Sequence, residues 1–141
     1  MKKILALALT LAMVVSLCAC GGGNASKDGS AAAEGGNTAV KAGFIFLHDE
    51  NSTYDLNFIN AAKEACESMG IEYVFKTNIP EGQEAFDAAC ELADEGCNYI
   101  FADSFGHEDY IIEAAKEYPD IQFCHATGTK AHTEGLDNFH N

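Results

Sequence analysis

Two short stretches of the 141-residue chain concentrate side chains that can bind a small molecule. The first, HDENSTYD, runs from His48 to Asp55, and the second, DSFGH, runs from Asp103 to His107. Their carboxylates accept hydrogen bonds from hydroxyls and exocyclic amines, and their aromatic faces stack on flat rings. We therefore predict a site for a neutral, hydroxyl-rich ligand with a flat ring.

The candidate ligand contacts lie in these stretches or one helical turn beyond them. They are Asp49, Asn51, Tyr54, Asp55, Phe58, Asp103, Ser104, Phe105 and Gly106. An alternative for the first stretch is that Ser52 or Thr53, together with Asp55, only caps the following helix. Phe58 is alternatively a core residue. The acidic rim disfavours an anionic ligand, and neither stretch has the glycine spacing of a dinucleotide or Walker loop.

A regular alternation of strands and helices positions the two stretches. Apolar runs predict strands over 40–47, 71–77, 99–102 and 121–125, and helical spacing predicts helices over 54–69, 84–95 and 108–118. This alternation predicts an α/β fold, a doubly wound parallel sheet with helices on both faces and the strand order 2-1-3-4. Ligands bind such sheets beyond the carboxyl ends of the strands where the order reverses. Both stretches follow strands at that reversal.

The apolar positions of each helix predict which side faces the sheet. The expected inward residues are 54, 58, 59, 62, 65, 66 and 69 in the first helix, Phe86, Ala89, Cys90 and Ala93 in the second, and Ile111, Ile112 and Ala115 in the third. Cys66, Cys90, Cys97 and Cys124 are interpreted as small hydrophobic residues, although a disulfide between some pair stays open.

Metal binding and catalysis are the less favoured chemistries. His48, His107 and His125 all fall at strand ends and could form a metal site with Asp49 and Asp103, but no two histidines have close ligand spacing. Ser104 does not lie in a Gly-x-Ser-x-Gly elbow. We predict no metal, no cofactor and no enzymatic activity.

The N-terminal region predicts export and lipid attachment. Residues 1–19 have a Lys-Lys head and an uncharged run shorter than the roughly 20 residues of a membrane span, which is typical of a signal peptide. Leu-Cys-Ala-Cys at 17–20 resembles a bacterial lipobox with Cys20 as the lipidated residue. Cys18 fits that position poorly, and an ordinary signal peptide with an incidental cysteine is the alternative. Residues 20–39 predict a flexible spacer of about 25 Å, and residues 40–141 predict one domain.

Charge excludes one large class of partner. The chain has 8 basic and 22 acidic side chains, and loss of Lys2 and Lys3 with a signal peptide changes the formal charge from −14 to −16. Nucleic acids are bound by basic residues that neutralise phosphates, so we predict no nucleic-acid partner. The acidity also disfavours flat binding to anionic lipid.

The chain resembles the basic membrane protein family in the order of its segments: a lipobox, a spacer and then the stretch VKAGFIFLHDENSTYDLNFINAAKEA. These proteins are substrate-binding lipoproteins of ABC transporters, similar to purine-nucleoside receptor lipoproteins. Asp55 and Phe58 match the family's aspartate and phenylalanine, whereas Leu56 and Asn57 replace its lysine and serine. YIFADSFGH resembles the end of the family's third strand.

The resemblance implies a type I periplasmic-binding fold whose two lobes close on a nucleoside-like ligand. It also implies an ABC permease as partner and lipid anchoring at the extracytoplasmic face of the cell membrane. Residues 40–141 would be a truncated N-terminal lobe, with GLDNFHN beginning a further helix and the strand at 121–125 left as an exposed sheet edge. The alternatives are a surface-anchored sensor that signals ligand occupancy to a partner protein and, less favoured, a metal-binding lipoprotein.

Overall fold

The structure is a computed structural model that describes residues 39–141. The predicted signal peptide, the predicted lipidation at Cys20 and all but the last residue of the predicted spacer lie outside the described residues. Within the described part of the chain, no helix combines the length and the apolar character needed to cross a membrane.

The described residues form one parallel sheet with helices packed against it. Its strands are β1 (Lys41–Ile45), β2 (Glu72–Lys76), β3 (Tyr99–Ala102), β4 (Gln122–His125) and β5 (Phe139–His140), in the order β2-β1-β3-β4-β5. The helices are α1 (Thr53–Met69), α2 (Gln83–Asp94), α3 (Glu108–Glu117) and the short α4 (Ala131–Glu134), with a 3₁₀ turn over Phe105–His107. The predicted α/β class and the order of the first four strands are confirmed, and the order reverses between β1 and β3.

The prediction for the segment after α4 is wrong. GLDNFHN does not begin a helix, and β4 is not the sheet edge, because β5 pairs with β4 in parallel. Asn138, just before β5, is buried and holds this strand in place. Its side-chain amide donates to three backbone carbonyls around the turn from α3 to β4, those of Ala115 (2.8 Å), Tyr118 (3.1 Å) and Ile121 (3.0 Å).

Helices α2 and α3 pack on one face of the sheet. The predicted inward residues of α3 are all buried, as expected. The buried side of α2 is instead Ala85, Ala88, Ala89 and Leu92, so Phe86, Cys90 and Ala93 are only half-buried. The helix turns this way because Gly43 on β1 leaves room for Leu92: a Cβ at position 43 would lie 2.9 Å from a Leu92 methyl carbon.

The opposite face is aromatic and only partly covered. Phe44, Phe46, Phe75 and Phe101 pack there with ring centroids 5.0–6.2 Å apart. Helix α1 buries Ile59 and Cys66 against this face, but the predicted inward positions 54, 65 and 69 are exposed. Because α2 and α3 pack on the other side, part of this face over β3 and β4 stays open within residues 39–141.

The four cysteines of the described residues carry free thiols. Cys66 and Cys97 are buried, and Cys90 and Cys124 are half-buried. Burial raises the pKa of all four thiols, so they stay protonated at neutral pH. Within residues 39–141 they therefore behave as the small hydrophobic residues that the sequence predicted.

Candidate functional site

The two chemically rich stretches meet at the carboxyl edge of the sheet. Strands β1 and β3 are parallel neighbours, so the residues that follow them emerge on the same side. The Tyr54 hydroxyl, at the start of α1, donates a hydrogen bond to the backbone carbonyl of Asp103 at 3.1 Å. The expectation that both stretches border the point of strand reversal is confirmed.

Asp55 anchors the first stretch. Ser52 is the N-cap of α1, as the capping alternative predicted, and its hydroxyl donates to Asp55 Oδ2 at 2.5 Å. The two carboxylate oxygens also contact His48, through its backbone N–H at 2.9 Å and its ring Nδ1 at 3.1 Å. Burial of Asp55 raises its pKa, but the hydrogen bonds from Ser52 and His48 outweigh that effect and hold the pKa at about 2. Asp55 is therefore ionised.

The pKa of the Asp103 carboxyl group is shifted in the opposite direction from that of Asp55. Asp103 is buried, its Oδ1 accepts from the Leu47 backbone N–H at 3.3 Å, and its Oδ2 has no hydrogen-bond partner among the described residues. Burial, followed by the charge of Asp55, raises the pKa of Asp103 to about 7. With Asp55 ionised close by, the buried Asp103 carboxyl group therefore carries a proton below pH 7.

Four other predicted contacts already use their polar groups within the chain. Asp49 Oδ1 accepts from both the backbone and the side-chain amide of Asn51, each at 2.9 Å. The Ser104 hydroxyl (2.5 Å) and the Gly106 backbone N–H (3.1 Å) both donate to Glu81 Oε1. These groups shape the loops of the site.

Two aromatic side chains remain available at this edge. Tyr54 is 48% exposed at the start of α1, and Phe105 is 64% exposed in the 3₁₀ turn that follows β3. Phe58 is half-buried, packs with the aromatic face of the sheet and lies 5.0 Å from the Tyr54 ring between centroids. Its surroundings agree with the core alternative, and Tyr54 and Phe105 are better placed to stack on a flat ring.

A third loop borders the site and was not singled out from the sequence. It follows β4, and the Thr127 hydroxyl donates to the same Asp103 carbonyl as Tyr54 does, at 3.1 Å. The buried carboxylate of Glu108 fixes this loop by accepting the backbone N–H groups of Thr129 (2.5 Å) and Lys130 (2.7 Å). The position of this loop after a parallel strand was a usable signal for Thr127.

The histidines at this edge have structural contacts. His107 is fully buried, and its Nε2 donates to the Ile79 carbonyl at 2.9 Å. His125 is also buried, and its Nδ1 accepts from the Thr127 backbone N–H at 3.3 Å. Burial lowers the pKa of both imidazoles, so both are neutral at pH 7. In residues 39–141, no three His, Cys, Asp or Glu side chains converge in a way that could hold a metal ion.

A groove of about 390 Å³ opens beside these loops, between α1 and the ends of β3 and β4. Phe58 and Phe101 line its walls, and Asp103 and His125 lie among its lining residues at the carboxyl edge. A mostly apolar lining with a few polar groups is typical of small-molecule sites.

The fold is one that known proteins share. The α/β lobe, with its loops at the strand reversal, has the fold of solute-binding proteins of ABC transport systems. Two solved structures share it. An ABC transporter system solute-binding protein from Conexibacter woesei is 20% identical with a TM-score of 0.54, over 61% of this chain and 29% of that one. The branched-chain amino acid transporter substrate-binding protein LivJ from Streptococcus pneumoniae, solved with isoleucine, is 19% identical with a TM-score of 0.58, over 72% and 33%.

The sequence comparison is more specific. The chain is 38% identical, over 96 residues, to a purine-binding protein of Brucella abortus (strain 2308). The match covers 64% of this chain and 27% of that protein, so the chain spans well under half of its relative's length. No protein-family model matches the chain. The purine-binding relative and the solved structures together confirm the predicted resemblance to substrate-binding proteins of ABC transporters.

Proposed function

We propose that this chain contributes to binding a purine nucleoside or a similar neutral solute for delivery to an ABC permease. The observation that carries the proposal is the junction at the strand reversal, where Tyr54 bonds the Asp103 backbone and an exposed Phe105 follows. The relative that binds purines supports the ligand class. Binding without turnover is supported by relatives that are binding proteins.

The ligand chemistry follows from the groups that remain available. A flat ring stacks on Phe105 or Tyr54, and the ring's exocyclic amine or the sugar hydroxyls face the carboxyl groups and carbonyls of the edge. The ionised Asp55 and the acidic character of the chain favour a neutral ligand over an anionic one. A lobe that supplies only part of the contacts is expected to bind weakly, with a Kd on the order of 1 mM.

The stacking role of Phe105 gives the sharpest test of this proposal. Isothermal titration of the full chain with adenosine is expected to show binding that Phe105→Ala weakens at least about ten-fold. Tyr99→Ala is the matched control, because Tyr99 is an exposed aromatic residue at the amino end of β3. Equal losses in the two variants, or none in Phe105→Ala, would contradict the proposal.

We also propose that Cys20 carries a lipid that holds the protein at the extracytoplasmic face of the cell membrane. The lipobox-like sequence around Cys20 supports this. Metabolic labelling with an alkyne fatty acid is expected to mark the protein and its Cys18→Ala variant equally. Cys20→Ala is expected to lose the label, and a Cys20→Ala protein that keeps it would refute the assignment.

A further inference from the structure

The loop between β2 and α2 crosses the point where the strand order reverses. It starts beside β1, where the Ile79 backbone N–H donates to the Phe46 carbonyl at 3.1 Å. It then meets the turn after β3, where His107 donates to the Ile79 carbonyl at 2.9 Å. Because β1 lies between β2 and β3, this loop spans the end of β1 and closes one side of the site.

Glu81, near the end of this loop, bonds the turn that follows β3. One oxygen of its carboxylate accepts both the Ser104 hydroxyl and the Gly106 backbone N–H. Only glycine at position 106 permits this approach, because a Cβ there would lie 2.3 Å from Glu81 Cδ. The hydrogen bond from Ser104, followed by that from Gly106, lowers the pKa of Glu81. The carboxylate is therefore ionised at neutral pH.

Glu81 thus occupies donors that a phosphate group would otherwise use. Side-chain hydroxyls and backbone N–H groups are common partners of phosphate oxygens. Here an anion of the chain itself takes these two donors. The ionised Asp55 adds further negative charge at the same edge.

From this arrangement we infer that Glu81 is a specificity-determining residue that excludes phosphorylated ligands, so that the site takes a nucleoside or a base but not a nucleotide. The inference rests on the proposed function, because it concerns the ligand of that same site. It gives a cause for the preference for nucleosides over nucleotides. The Glu81 charge repels a phosphate group, and Glu81 already occupies the Ser104 and Gly106 donors.

The first test compares adenosine with its 5′-monophosphate on the full chain by isothermal titration. Glu81→Gln is expected to leave the affinity for adenosine within two-fold and to strengthen that for the monophosphate about five-fold, as for the loss of one partly screened charge. Glu84→Gln, an exposed residue in the first turn of α2, removes the same charge and is expected to change neither affinity by two-fold. An unchanged preference in Glu81→Gln, or the same gain in Glu84→Gln, would overturn the inference.

The second test uses inorganic phosphate alone and needs no nucleoside binding. In ¹⁵N spectra of the full chain, Glu81→Ala is expected to show a saturable phosphate-dependent shift of the Gly106 amide that the wild type lacks. If the turn is disordered in this variant, Glu81→Ser, which also lacks the carboxylate acceptor, is titrated in its place. A wild type that shifts equally, or variants that do not shift, would refute the inference. Failure of adenosine to bind, with the phosphate result as expected, would count against the proposed function alone.

Discussion

The carboxyl and amino edges of the sheet differ in how they hold charged and imidazole side chains. At the carboxyl edge five such side chains are nearly or fully buried: Asp55, Asp103, His107, Glu108 and His125. At the amino edge the charged pair of Lys41 with Glu72 (3.0 Å) has a largely exposed acidic partner. The turns there are closed by backbone contacts, as where the Gly70 N–H bonds the Glu67 carbonyl.

The difference indicates where function lies. Burying an ionisable group costs free energy unless hydrogen bonds compensate for the lost water. A sheet selected only for stability gains nothing from collecting such groups at one edge. Their concentration at the strand reversal is the pattern expected of a binding site. The amino edge then serves to connect the elements, and variants at the two edges are expected to behave differently.

The largest effect is expected from Asp55→Ala. This change removes the acceptor of the Ser52 hydroxyl and of the His48 backbone N–H in one step. We expect the free energy of unfolding to fall by about 2–4 kcal/mol at pH 6, measured by urea denaturation. Asp109→Ala is the matched control, since Asp109 is also in the first turn of a helix but is exposed. Equal losses in both variants would remove the distinction between buried and exposed carboxylates.

The next largest effect is expected from Asp103→Asn, which should raise the free energy of unfolding by an amount that depends on pH. The folded-state pKa of Asp103, about 7, exceeds its ordinary value of 3.8, so the folded protein keeps a proton that the unfolded chain releases. The contribution of this proton to the free energy of unfolding is fully present below pH 4 and is lost as the pH rises through 7. An amide mimics the protonated carboxyl, so Asp103→Asn is expected to be more stable than wild type by about 1–3 kcal/mol at pH 8.

Urea denaturation of both proteins between pH 5 and 8 measures this difference. The advantage of Asp103→Asn is expected to shrink steadily as the pH falls toward 5, where the wild-type carboxyl group is protonated. A difference that stays constant over this range would show that Asp103 does not change its protonation there.

The smallest effect is expected at the amino edge. Lys41→Met removes the ion pair with Glu72 and a hydrogen bond to the Glu95 carbonyl (2.9 Å). Surface pairs of this kind contribute little to stability. The urea midpoint is therefore expected to move by less than about 0.3 M and the affinity for adenosine to stay unchanged. A large fall in the urea midpoint or in the affinity for adenosine would show that the amino edge also carries stabilising or functional charge, and would contradict the comparison.

Local patterns in the sequence predicted most of the fold. Helical spacing and apolar runs are properties of neighbouring residues, so α1 to α3 and β1 to β4 were all predicted, with small differences at their ends. β5 was missed because a two-residue strand has no pattern of its own. It depends on Asn138, whose bonds to carbonyls about 20 residues away cannot be inferred from spacing.

The site was predicted less completely, for a related reason. The strand-reversal rule brought the stretches after β1 and β3 together, because it depends only on strand order. It did not reveal that Glu81, from a third loop, bonds Ser104 and Gly106, since that contact needs the path of the loop over β1. The same rule applied to β4 would have found Thr127.

The most direct test of the account is to map where adenosine binds, using ¹⁵N-labelled full chain and recording amide shifts during the titration. The account predicts shifts in 48–54, 103–106 and 126–129, the three loops of the carboxyl edge. It predicts none in 70–71 or 95–98 at the amino edge. Shifts confined to the amino edge, or no shift at the carboxyl edge at saturating adenosine, would contradict it.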